Sequence, residues 1–504
     1  MGAGPGDPGL LTRKGCDLLS RADVVVYDAL AGEGIMQLIP EKTRRINVGK
    51  RSGHHLTPQE EINEILLREA LAGNTVVRLK GGDPFLFGRG GEELEKLVDS
   101  GIPFEIVPGV TSAFSVPAYQ GIPVTHRDVS ASVHVITGHR KKDAPLDIDF
   151  GALVRTSGTL VFLMGVQALP ELCKGLLEAG MDKDMPAAVL ENGTSAAQRR
   201  VVATVSTLEE EAKKADMQTP AIIVVGKVCA LADRFSWFEK RPLGGTRILV
   251  TRQKDGRSRL VTLLERSGAE VIQMPTISIK PLPDTEGLDA ALVILREGHA
   301  YDWIVFTSPT GADLFMQKLL EEADSRALAG VKIAAIGPAT AEALKQKGLR
   351  ADFIPEGHDG ESLGKELASR LTGGERILIP RAKEGNRGLV EALLTVRDAV
   401  IEDVPLYDTV PVRDEEAYGR RLLEEGAIDY VVFTSASAVR AFADALKDTR
   451  AVYNTMEAVC IGRQTEAEAK KLGMKTHVSA ETTMQSICEK LVSLAGQDHI
   501  EPCF

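Results

Sequence analysis

Glycine-bearing loops that follow apolar runs are the first places in this sequence where chemistry could be done. Gly81-Gly82-Asp83, Pro108-Gly109, Gly138-His139, Gly165, Asn192-Gly193 and Gly226 each close such a run. In open α/β sheets ligands bind outside the carboxyl ends of the strands, and a residue without a side chain lets a ligand approach the backbone. The opening Gly2-Ala3-Gly4-Pro5-Gly6-Asp7 is superficially a dinucleotide fingerprint. Its spacing is not G-x-G-x-x-G and no strand precedes it, so it is not read as a nicotinamide site. Cations gather at Arg44-Arg45, Lys50-Arg51, His139-Arg140-Lys141-Lys142 and Arg199-Arg200. Each is either a solvated surface or a seat for an anionic small substrate. Six widely scattered cysteines (Cys16, Cys173, Cys229, Cys460, Cys488, Cys503) include no C-x-x-C pair, which argues against a metal site or a disulfide framework.

The loops need strands to hold them. Asp23–Tyr27, Thr75–Leu79, Phe104–Val107, Val133–Thr137, Leu160–Met164, Ala187–Leu190 and Ala221–Val225 are the candidates in the first half. Their continuous apolar character, with helical stretches between, predicts buried and largely parallel strands. Thr57-Pro58-Gln59-Glu60 reads as a capping box, with Thr57 as N-cap, Pro58 at the first helical position and Glu60 reaching back. Ile62, Ile65, Leu66 and Ala70 then share a face, and Gly73 can close the helix in a left-handed cap.

Arg241–Gly245 reads as a short linker, and the second half then repeats itself. Ile248–Arg252 recurs as Ile377–Arg381, Tyr301–Ser308 as Ile428–Ser435, and Ala335–Thr340 as Cys460–Thr465. Three matched motifs in one order imply two similar α/β lobes with a cleft between them as a natural ligand site. The Phe-Thr-Ser of each copy ends a strand and delivers hydroxyls and backbone amides into a helix start.

Bulk properties exclude several classes. The 504 residues predict about three to five domains. A composition 43% hydrophobic and 26% charged is that of globular protein. No window approaches ~18 consecutive apolar residues, so no membrane span is expected. The formal charge of −11 disfavours a general nucleic-acid or anionic-membrane surface. No basic segment with an apolar core follows Met1, so the expected compartment is the cytoplasm.

Taken together, Gly2–Lys14, Ala22–Asp28, Val48–Arg51, Val76–Glu92, Val107–Ala113, Gly121–Arg127 and Glu191–Arg199 resemble the uroporphyrinogen-III C-methyltransferase family over about residues 1–235. The resemblance implies an S-adenosylmethionine enzyme that methylates uroporphyrinogen III at two pyrrole carbons to give precorrin-2, for sirohaem or cobalamin. Carried over residue by residue, it places the cofactor against Pro5, Gly81, Gly82, Asp83, Leu86, Thr111, Ser112, Met164 and Gly193. It makes Asp28 and Lys50 the candidate base and acid, a pair suited to removing the pyrrole proton after transfer. Alone, Met164 reads as core and Asp28 as a turn or cap residue. In that family a short apolar strand precedes the glycine-rich opening, and Met1 stands where it ends. The expectation is an unpaired sheet edge, a loosened cofactor loop and weak methylation until upstream residues restore the strand.

Residues 246 to about 495 resemble uroporphyrinogen-III synthase, on Ile248–Arg252, Asp302–Ser308, Ala334–Leu349, Ile377–Arg381 and Tyr407. That implies cofactor-free closure of hydroxymethylbilane with inversion of one pyrrole and loss of water. Thr307, Ser308, Thr340, Thr434, Ser435 and Thr465, with Arg252 and Arg381, are the implied seats for substrate carboxylates, and Tyr407 the implied acid for the leaving hydroxyl. Each hydroxyl also suits a helix N-cap, and Tyr407 an inter-lobe packing position. Gly462-Arg463-Gln464-Thr465 departs from the family's Gly-Pro-x-Thr, which puts its loop geometry in question.

The expected architecture is therefore α/β: a tetrapyrrole methyltransferase fold of two α/β subdomains over 1–240, a linker over 241–245, and a two-lobed α/β synthase fold over 246–504. Its lobes would be 246–280 with 412–504, and 284–408. A homodimer through the methyltransferase half is expected, with no metal. Two rivals stand beside this: a methyltransferase for another tetrapyrrole, and a second half that binds tetrapyrrole without catalysis. Product masses separate the first, and the III-to-I isomer ratio from hydroxymethylbilane the second.

Overall fold

A Val-Val-Val run, buried on both faces, organises the first sheet. The computed structural model describes residues 1–40, 42–49, 57–138, 146–251, 258–298, 301–357, 359–385, 387–412, 418–447 and 453–496. Strands β1 (Val24–Tyr27), β2 (Arg44–Asn47) and β3 (Val76–Leu79) form a parallel sheet in the order β2-β1-β3. Side chains alternate along a strand, so Val25 packs with Leu19 and Ile35 on one face. Val24 and Val26 pack with Ile62 and Leu66 of the helix Gln59–Leu71 on the other. That helix starts one residue later than the capping box predicts. Pro58 occupies the N-cap with extended backbone (ψ 147°) and no side chain caps the first turn. Gly73 takes the expected left-handed conformation.

The outer edge of β3 is bonded at its C-terminal end. The Met1 ammonium donates to Arg78 O, Lys80 N to Met1 O and Ala3 N to Lys80 O. These bonds close one end of the edge expected to be unpaired, and among the described residues no strand pairs β3 on that side. The apolar segment Phe104–Val107 forms no strand. Val107 O accepts Gly2 N, and one bond does not make a ladder.

Strands β4 (Val133–Thr137), β5 (Thr159–Leu163), β6 (Pro186–Glu191), β7 (Arg199–Thr204) and β8 (Ala221–Val225) form a second sheet in the order β4-β5-β8-β6-β7. Only β4 and β5 run parallel in it; the β5–β8, β8–β6 and β6–β7 pairings are antiparallel. The largely parallel expectation fails here because an apolar run reports burial on both faces and carries no direction. Leu160 and Phe162 face one cluster, Val161 and Leu163 the other. The Arg199-Arg200 pair lies on β7, with Arg199 bonded to Glu191 and Arg200 to Asp233.

The second half adds β9 (Arg247–Val250), β10 (Glu270–Gln273), β11 (Ile277–Pro281), β12 (Trp303–Phe306), β13 (Lys332–Ala335), β14 (Arg376–Ala382), β15 (Val400–Pro411), β16 (Tyr430–Phe433), β17 (Glu457–Cys460) and β18 (Lys475–Val478). One parallel sheet has the order β10-β9-β16-β17-β18; the other, β11-β15-β14-β12-β13, is parallel except at β11. The sequence repeat is a structural one. Phe306 meets Phe315 edge-on at 5.5 Å, and Phe433 meets Phe442 edge-on at 5.3 Å. Asp302 accepts the amide of Arg376 at 2.8 Å, and Asp429 that of Arg247 at 2.7 Å. In both copies the aspartate before one strand caps the start of its neighbour.

The chain divides into two compact units, Met1–Met274 with Glu415–Phe504, and Pro275–Asp414. In the first, the segment expected as a linker is packed. Leu243 is fully buried, its amide bonds Ser267 O at 2.8 Å, and the Arg241 guanidinium lies 4.4 Å over the Phe238 ring.

Three backbones cross at Gly2, Gly82 and Gly109. A Cβ on Gly109 would lie 2.1 Å from Gly82 O and 2.7 Å from Gly2 Cα. Gly109→Ala is expected to cost about 1–3 kcal/mol by overpacking. Gly91→Ala, whose Cβ meets nothing within 4 Å, should be neutral or stabilising. Denaturant midpoints of the two variants check this.

Candidate functional site

The loops at the ends of the first-half strands enclose a cavity of about 1260 Å³ in the first unit. Pro5, Gly81, Gly82, Asp83, Leu86, Thr111, Ser112, Met164 and Gly193 all line it, and so does Asp28. A Cβ on Gly81 would lie 2.6 Å from Leu30 O, and one on Gly193 2.4 Å from Val116 Cγ1, so both backbones must pass close by. A Cβ on Gly82, by contrast, would meet nothing within 4 Å, which leaves that backbone open. Asp83 accepts Phe85 N at 2.8 Å through Oδ1 and Gly109 N at 3.0 Å through Oδ2. It therefore builds the loop, and each oxygen keeps a further lone pair for a ligand. Thr111 caps the helix Ser112–Tyr119 by accepting Ala113 N. Met164 is not core. It is 53% exposed with φ 55°, a conformation held at the cavity wall rather than inside a strand.

Asp28 Oδ1 accepts Leu30 N at 3.2 Å, so the turn role does hold, while Oδ2 lies 3.3 Å from Arg78 Nη2. Lys50 and Arg252 lie outside the described residues, as do His139–Lys142. The cations placed beside Asp28 were not expected. Arg78 reaches Glu93 Oε1 at 3.2 Å, and Lys80 Nζ reaches the same oxygen at 2.7 Å. Burial, then the Arg78 charge, pushes the Lys80 ammonium below its usual range. The available signal was Arg78 and Lys80 two apart at the end of β3, hence on one face. Nothing local points to Glu93, which the helix Gly90–Asp99 brings in. Asp7 accepts the Tyr119 hydroxyl at 2.7 Å; burial, with the Asp7 carboxylate beside it, raises that phenol's pKa.

In the second unit Tyr407, on β15, is buried with its hydroxyl 2.9 Å from Ser308 Oγ. Ser308 also accepts Gly311 N and so caps the helix Pro309–Glu322. Thr307 precedes it, half-buried, and Thr340 is buried in the first turn of the helix Pro338–Gln346. Arg381 is buried with its guanidinium on Asp403 at 2.5 and 2.6 Å. In the first unit Ser435 caps Ala436–Ala445 beside the half-buried Thr434, and Thr465 is buried. The altered Gly462 loop keeps its repeat geometry: φ −170°, ψ 170°, against −174° and 178° at Gly337. Arg463 takes the first helical position as Pro338 does.

Among the described residues no group of three or more His, Cys, Asp or Glu could hold a metal ion. Burial pushes the Cys173 thiol up to about 11, and Cys229 and Cys460 up to about 12, so all three are protonated at neutral pH. No helix among the described residues is long and apolar enough to cross a membrane.

Comparison with known proteins matches residues 1–209 to the tetrapyrrole (corrin/porphyrin) methylases and residues 258–489 to uroporphyrinogen-III synthase HemD. A porphyrin biosynthesis protein HemD from Ruminiclostridium josui is 46% identical over 497 residues, 98% of this chain and 97% of that protein. The chain belongs to this family, joining a tetrapyrrole methylase to a uroporphyrinogen-III synthase in one α/β polypeptide, and it is a bifunctional enzyme. A siroheme synthase from Enterobacter sp. (strain 638) is 52% identical over 238 residues, 47% of this chain; the chain spans about half (51%) of that protein's length. A uroporphyrin-III C-methyl transferase from Thermus thermophilus, complexed with S-adenyl homocysteine, is 40% identical (46% of this chain, 97% of that one, TM-score 0.40). A uroporphyrinogen III synthase from the same bacterium is 21% identical (51% of this chain, 100% of that one, TM-score 0.31).

Glu93→Ala leaves Lys80 and Arg78 without their shared counter-charge. Stability should fall by about 3–5 kcal/mol, as for other broken buried ion pairs, measured by denaturant unfolding.

Proposed function

We propose that the chain closes hydroxymethylbilane to uroporphyrinogen III with inversion of one pyrrole, then methylates that product twice with S-adenosylmethionine to precorrin-2, for sirohaem or cobalamin. The observation that carries this is the convergence of all nine implied cofactor residues on one cavity with Asp28. The family order adds support, because the second half's product is the first half's substrate. Siroheme synthases match the methylase half at 52% identity.

The residues fit the cofactor. The open Gly82 backbone, the Asp83 carboxylate and Thr111 offer bonds to its polar ends, and the half-exposed Met164 a soft apolar wall. S-adenosylmethionine supplies an electrophilic methyl group. Asp28 then takes the proton lost from the methylated pyrrole carbon, Lys50 serves as the acid, and Arg78 orients the Asp28 carboxylate. In the synthase half, Tyr407 protonates the departing hydroxyl, which leaves as water, and Ser308 orients the phenol. Thr307, Ser308, Thr340, Thr434, Ser435, Thr465, Arg252 and Arg381 receive substrate carboxylates. The working division is 1–240, 241–245 and 246–504, with the second part's lobes being 246–280 with 412–504, and 284–408. The enzyme is proposed to be a cytoplasmic homodimer paired through its methylase half, with no nucleic-acid or membrane partner.

One incubation with hydroxymethylbilane and S-adenosylmethionine should yield a tetrapyrrole of the III series carrying two added methyl groups. A single or absent methylation, or the I isomer alone, would overturn the reading. Asp28→Ala should lower methyl transfer by about 10²–10⁴-fold while S-adenosylhomocysteine binding persists; unchanged turnover removes Asp28 from the chemistry. Tyr407→Phe keeps the packing and should slow formation of the III isomer by a similar factor, read by chromatography of the oxidised porphyrins.

A further inference from the structure

The cavity of the methylase half is not walled by that half alone. Arg247, Gly268, Glu270 and Tyr418, all from the synthase half, also line it within the first compact unit. We propose that Glu270 is a positioning residue for methyl transfer: a carboxylate of the synthase half that holds the Asn192–Gln198 loop where it walls the adenosyl-cofactor cavity. This rests on the reading of that cavity as the cofactor site.

The loop needs holding. Asn192 (φ 48°) and Thr194 (φ 72°) are both left-handed, which for a β-branched threonine is an outlier that persists only where the surroundings over-determine it. Gly193 between them is pressed against Val116 and lines the cavity. The methylase half supplies part of the restraint. Thr194 N donates to Gln198 Oε1 at 3.1 Å, Thr194 Oγ1 to Pro5 O at 3.3 Å, and Asn192 N to Pro220 O at 3.0 Å. The synthase half supplies the bond at the loop's far side, where Ala196 N donates to Glu270 Oε2 at 2.9 Å.

Glu270 is itself fixed. It opens β10 directly beside Arg247 of β9, whose Nε lies 3.1 Å from the same oxygen. Both side chains are mostly buried, so a rigid cross-strand ion pair presents the acceptor to the loop. The intervening segment gives no slack, because Leu243 is buried in the synthase core and Arg241 sits on the ring of Phe238. Affinity for the adenosyl cofactor thus depends on a residue that belongs to the other activity.

The test uses the full chain, with S-adenosylhomocysteine binding by calorimetry and steady-state methylation as readouts. Wild type must bind; if it does not, the cofactor reading fails and not this inference alone. Glu270→Ala should weaken binding at least tenfold and raise KM for S-adenosylmethionine far more than it changes kcat. Glu270→Gln keeps an acceptor for Ala196 N and should restore affinity to within about threefold. Because Glu270→Ala leaves Arg247 unpaired, the double variant E270M/R247M, which removes both charges and keeps the bulk, should show the same loss. Wild-type affinity in Glu270→Ala or in the double variant overturns the proposal. So does a Glu270→Gln as weak as Glu270→Ala.

Discussion

Everything in the methylase cavity depends on how closely three backbones pass at Gly2, Gly82 and Gly109. At that crossing a Cβ on Gly2 or on Gly109 would overlap Gly82 O, while Gly82 itself is left-handed at φ 66°. The crossing brings the opening loop, the loop after β3 and the segment ahead of Thr111 to one point. Asp83 then ties two of them by accepting the Gly109 amide. Part of the cavity wall is thus backbone, at Gly4, Gly81, Gly82 and Gly193. It offers a ligand amides and carbonyls at fixed positions, with little entropy left to lose on binding.

A second economy lies in the duplicated sheets. Each copy uses an aspartate to cap its neighbour strand, an edge-on phenylalanine pair to seat its first helix, and a serine to start that helix. The copies diverge where function is implied. Ser308 reaches a buried tyrosine, whereas Ser435 reaches Ser437. One scaffold thus carries a serine–tyrosine hydroxyl pair in one copy and a serine–serine pair in the other.

Much of this is legible in the sequence. The motif blocks named the nine residues that converge on one cavity, and the repeat named the strand ends that prove equivalent. Other features are not. The capping box at Thr57 failed because Pro58 is extended, and Phe104–Val107 failed as a strand because a strand exists only through its partner. Met164, read alone as core, turned out to be a half-exposed wall. The contact of Arg381, an implied carboxylate seat, with Asp403 also has no local signal.

By itself the sequence determined most of the buried apolar strands, where the repeat falls and which loops carry glycine. Those properties are written in periodicity and in residue type, and both are local. Only the tertiary structure decided strand direction in the second sheet, the sharing of Glu93 between Arg78 and Lys80, and the reach of Glu270 from one activity to the loop of the other. Each of these joins residues far apart in the chain. Their pairing is set by how buried faces stack, and no local pattern encodes it.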